Sequence, residues 1–230
     1  MITTKLLIAI LTGVSLITAA ASAQSDDFPC PIAGPARVQI NLTRGAEQVE
    51  ADISLQQVRE SAQGRHPGPV LGLYVGTLRY TITIDDTVRQ LTPDRFCATP
   101  KYVTLTVQLD RVIHIPREFV DDPCLAALAR DHEAKHADAD AMALDRSRSS
   151  LLSAIREAVR ANPAAARASR PDALAILTTR IRTAIDQVFE DIAAERRRLD
   201  AAVDSPAELE RLKTGCEGRA AQWVPRNTLT

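Results

Sequence analysis

Apolar and polar residues alternate along three stretches in the first half of the chain, at positions 38–42, 78–84 and 102–115. A period of two puts every second side chain on one face of a strand. The last stretch is the clearest, with Val103, Leu105, Val107, Leu109, Ile113 and Ile115 on a single face. Positions 64–72 are rich in Gly and Pro and read as a loop, Asp85-Asp86 as a hairpin turn, and 92–100 as irregular chain.

Beyond Pro116 the period becomes helical. Asp122 is placed to cap a helix with Pro123 in its first turn, and nothing interrupts the pattern before Asn162-Pro163, roughly forty residues on. Ser169-Arg170-Pro171-Asp172, close to a capping box, starts a second long helix that runs to about Val203. Ser205-Pro206-Ala207-Glu208 caps a short third helix that Gly215 can end. Strands first and helices second predict an α+β fold, an antiparallel sheet carrying a long helical hairpin. The expected division is a signal peptide over 1–23 and one domain over 24–230, strand-rich to 116 and helical from 117.

The signal-peptide expectation rests on Lys5, the apolar run 6–20 and the small residues Ala21-Ser22-Ala23. That run is short for a membrane span, so no stable insertion is expected after cleavage. An Ala- and Arg-rich composition suits a bacterial chain, which gives a periplasmic or secreted destination. In such a compartment Cys30, Cys97, Cys124 and Cys216, with no CxxC pair, favour two disulfides. Four cysteines allow three pairings. Folding the third helix back on the hairpin favours Cys124 with Cys216, leaving Cys30 with Cys97. A net charge of −1 and 3% aromatic residues give no electrostatic or stacking case for nucleic acid.

The candidate chemistry is His132-Glu133-Ala134-Lys135-His136. Histidines at i and i+4 share a helix face and can bind one metal ion, while Glu133, about 100° round, can hold a water beside it. Leu125, Leu128, His132, His136 and Ala139 form one stripe, so the histidines continue an inward apolar face. The plainer alternative is two buried histidines satisfied by local hydrogen bonds. A third ligand is expected from the second helix, whose stripe Leu174, Leu177, Ile181, Ile185, Val188, Ile192, Glu195, Leu199 contains one charged residue, Glu195. Antiparallel partners numbering roughly 332 in sum bring residues near 196 against His136, which agrees with Glu195. Asp191 is an alternative ligand or a partner that orients a histidine, and Asp140 is a further candidate for such a supporting role or for solvent. His114, on the polar face of its strand, and His66, in a loop, are expected to face solvent.

The run from Cys97 through Tyr102-Val103-Thr104-Leu105, Ile113-His114-Ile115-Pro116 and Cys124-Leu125 into the motif resembles a bacterial exported family. Its members are described as domains of unknown function or as secreted zinc-dependent proteases, and they are similar to gluzincin-like zincins. The resemblance covers about half of the mature chain, and only the HExxH motif is specific. It implies Zn²⁺ on His132 and His136, Glu133 as general base, and a carboxylate from a following helix, best matched by Glu195. It also implies an unidentified peptide or protein substrate. The chain departs from that pattern in Asp131 before the motif and Lys135 within it. Lys135 lies on the metal-facing side, and its flexible stem must carry the ammonium away. Two other readings stand beside the hydrolase: a zinc that only staples the helices, and an interaction module without metal.

Overall fold

The computed structural model describes residues 30, 34–62, 70–161 and 165–223. The expected signal peptide and His66 lie outside them. The strand-rich half contains Arg37–Glu50 (β1), Leu55–Ala62 (α1), Leu73–Thr92 (β2) and Arg95–His114 (β3). The helical half contains Pro123–Ala161 (α2), the short strand Ala165–Arg167 (β4), Arg170–Val203 (α3) and Pro206–Thr214 (α4).

β3 is central, between β1 and β2, with β4 pairing its first residues. The sheet is mixed, not antiparallel as expected: β2 and β3 form a hairpin, but β1 runs parallel to β3. β1 ends and β2 begins opposite His114, at the same end of β3, so the chain has reversed between them. β2 then returns along the far edge, and β3 fills the gap with its direction matching β1. A central strand is covered on both flanks, and Val103, Leu105, Val107, Leu109 and Ile113 are fully buried.

Asp85-Asp86 is not a turn. β2 continues through it to Thr92, with a register shift where Asp85 faces Tyr102 and Asp86 faces Pro100, leaving Lys101 without an opposite residue. Pro100 has no N–H for the ladder, so a bulge relieves the mismatch there. The chain reverses instead at Pro93-Asp94, where the Thr92 hydroxyl donates to the Asp94 carboxylate at 2.7 Å.

The helix boundaries follow their caps. Asp122 Oδ1 accepts from the amides of Cys124 and Leu125 at 3.1 and 3.2 Å, and Ser169 Oγ accepts from that of Asp172 at 3.2 Å. Ser205 Oγ accepts from the Glu208 amide at 3.4 Å, and α4 ends at Gly215. α2 and α3 pack on the apolar face of β3 through Leu144, Leu151, Ile155, Leu177, Ile181 and Ile185. Disulfides join Cys30 to Cys97 and Cys124 to Cys216. Among the described residues no helix is long and apolar enough to cross a membrane.

Candidate metal centre

α2 carries His132, Glu133 and His136 on its buried side. Three buried polar residues within five positions of a helix need partners. These come from the end of α3, from α4 and from the start of β2. The two histidines aim their Nε2 atoms at one oxygen, Asp204 Oδ1, at 3.4 Å from His132 and 3.3 Å from His136. Asp204 is the residue that closes α3. Both distances are close to the ~3.4 Å that separates neighbouring ligand atoms around a tetrahedral ion with bonds of about 2.0–2.1 Å. His132, His136 and Asp204 thus form a group able to hold a metal ion.

The far sides of the rings are held as well. His132 Nδ1 lies 3.2 Å from Glu208 Oε1, and His136 Nδ1 lies 2.9 Å from Asp200 Oδ1. A carboxylate on Nδ1 fixes the tautomer that leaves Nε2 able to ligate. Burial opposes the His136 cation, but Asp200 and Asp204 outweigh it and push its pKa up to about 10.

Lys135 points its ammonium at Glu208 Oε1, 2.6 Å away, and so away from the histidine Nε2 atoms. Arg211 also grips Glu208. Against the effect of burial, Arg211, Lys135 and His132 hold that carboxyl well below the usual carboxylate range. The cation inside the motif therefore helps fix the carboxylate that orients His132.

Glu133 Oε2 accepts from the Tyr74 amide at 2.8 Å, on the outer strand β2. Gly72 lies so close that an added Cβ would come within 2.8 Å of Glu133 Cγ. Beyond Glu133 opens a cleft of about 550 Å³, reaching His136, Asp200 and Asp204 on one side and Tyr74, Gly76, Arg196 and Arg197 on the other. Asp140 lies in it, buried, with Arg196 donating to both of its oxygens at 2.6 and 2.5 Å and the Tyr74 hydroxyl at 3.0 Å. Asp140 thus supports the wall of the cleft and not a histidine.

Glu195 is not brought to the histidines. Arg146 and Arg198 hold its carboxylate at 2.7 Å. Arg198 foremost, with Arg146, lowers its pKa to about 2. Asp191 is exposed. The contacts His136–Asp200 and Asp140–Arg196 run about one helical turn further along α3 than the expected register. In the first turn of α3, Ala173 packs on Ala98 of β3 beside β4. Asp200, Asp204 and Glu208 were therefore missed, although their spacing of four repeats that of the histidines and carried the signal.

His114 is mostly covered, with its side chain 18% exposed, and does not face open solvent. It sits 3.5 Å from Glu50 and close to Asp52 on the opposite face of the sheet.

The fold and site together define an α+β protein with two histidines and an aspartate arranged for a metal ion. No protein family, curated protein or solved structure matches the chain.

Proposed function

We propose that the protein is an exported, zincin-like hydrolase of peptide bonds that uses one zinc ion held by His132, His136 and Asp204. The observation that carries this is the convergence of both Nε2 atoms on one Asp204 oxygen while both Nδ1 atoms rest on carboxylates. A packed pair of histidines needs no such shared focus.

Zinc bound there supplies a polarised carbonyl and a water acidic enough to attack at neutral pH. Glu133 takes the proton of the attacking water and later passes it to the leaving amine. The Tyr74 amide orients the Glu133 carboxylate for this task. Asp200 and Glu208 keep the imidazoles in the ligating tautomer, and the cleft beside Glu133 receives the substrate.

Metal analysis and peptide turnover test this together. The zinc-loaded protein should bind one zinc per chain and cleave a broad peptide pool. Glu133→Gln should keep the zinc and lose hydrolysis, whereas Asp204→Asn should lose the zinc. Turnover retained in Glu133→Gln excludes the mechanism. One zinc with no turnover in the unaltered protein supports a second reading, a metal that staples α2 to α3 and α4. That reading draws on ligands and supporting groups coming from three helices.

A further inference from the structure

We propose that the cleft receives the C-terminal end of a peptide, with Arg197 gripping the terminal carboxylate. This rests on the hydrolase reading and deepens it.

The first observation concerns the edge of β2. β2 is an outer strand, so its outward amides and carbonyls are the groups an extended substrate would pair with. Beside the candidate metal centre two of them are already engaged. The Tyr74 N–H donates to Glu133, and the Gly76 carbonyl, two residues on and facing the same way, accepts from Arg196 Nη2 at 3.0 Å. Arg196 is anchored in turn by both oxygens of buried Asp140. A Cβ at Gly76 would collide with the Asp140 and Tyr74 side chains, so glycine is what lets this clamp close on the strand. A long peptide added along the edge would have to displace both contacts. The strand is shut as a docking rail at this point.

The second observation is the cation left in the cleft. Arg196 is matched by Asp140, but Arg197, which also lines the cleft, is exposed and makes no hydrogen bond or ion pair among the described residues. It lies three and seven residues before Asp200 and Asp204, on the same helix face as the groups around the metal position. A planar, permanently charged fork suits a carboxylate. A closed strand edge together with a waiting guanidinium describes a site where the substrate chain stops.

Calorimetry on the zinc-loaded, full-length protein, with short peptides carrying an N-terminal hydroxamate, tests this. A hydroxamate seeks the metal whether or not the protein turns over, so loss of hydrolysis and loss of carboxylate recognition are read separately. The form with a free C-terminal carboxylate should bind about tenfold or more tightly than its C-terminal amide, the size of one charge-assisted contact. Arg197→Gln should erase that difference, and Arg197→Lys should keep part of it. Equal binding of acid and amide, or no binding of either, overturns the proposal. So does a difference that survives in Arg197→Gln. An amidated peptide with an acidic side chain that binds as tightly as the free acid also overturns it, because the carboxylate would then come from a side chain.

Discussion

Individual residues separate into those whose role follows from close neighbours in sequence and those whose role depends on distant packing. His132, Glu133 and His136 belong to the first kind, because a spacing of four fixes a shared face on any helix. The candidate third ligand belongs to the second kind. An offset of one turn, about 5.4 Å, replaces Glu195 with the aspartates beyond it. Glu195 then serves as a surface anchor between Arg146 and Arg198. Its folded-state pKa of about 2 lies below the ordinary value of 4.5. The stabilisation it gives is therefore complete above about pH 4.5 and disappears as the pH falls towards 2. Glu195→Gln should lower the urea midpoint at pH 7, with the gap to the unaltered protein closing over that acid range. Because the pair is exposed, high salt should narrow the gap at every pH. Zinc content should not change, and a loss of zinc would return Glu195 to the candidate centre.

Element boundaries were legible where a capping residue announced them. Asp122, Ser169 and Ser205 mark the starts of α2, α3 and α4, and the alternation around Val103–Ile113 marks β3. α1 was missed because eight residues with only Leu55, Val58 and Ala62 buried give too short a period to register. β4 was missed because three residues can pair as a strand only where β3 offers an edge. The two serine caps should behave differently on removal. Ser169→Ala and Ser205→Ala should each cost about 1 kcal/mol of stability. Only Ser205→Ala should also weaken zinc binding, since α4 carries Glu208 to His132, and supports of that kind are worth roughly 10–100-fold in metal affinity. Denaturant melts together with zinc titration of the two variants read both effects, and equal zinc affinity in both would detach α4 from the centre.

At the scale of the whole molecule the α+β division was legible, because the change of period near Pro116 is abrupt. The parallel pairing of β1 was not, because it depends on which edge of the sheet β2 takes after the chain leaves β1, and alternation within a strand does not carry that choice. The two disulfides act on different parts. Cys30–Cys97 ties the segment before β1 to the start of β3, whereas Cys124–Cys216 ties the first turn of α2 to the second residue beyond α4. The latter closes a separation of 92 residues, for which chain entropy gives a stabilisation of about 4–5 kcal/mol. Replacing Cys124 and Cys216 by serine should therefore lower both stability and zinc affinity, while the Cys30/Cys97 double replacement should lower stability alone. Metal competition with a chromogenic chelator distinguishes the two, and unchanged affinity after loss of Cys124–Cys216 would show that α4 holds its place without the bond.

The spread of these groups along the sequence imposes an order of events on biosynthesis. The imidazoles emerge from the ribosome some seventy positions before Asp204 and Glu208 follow. A nascent polypeptide thus carries two imidazole donors and none of the acid groups of α3 and α4 that surround them in the fold. An ion bound at this group would be captured late in maturation, once the tail has swung back against the start of the long rod.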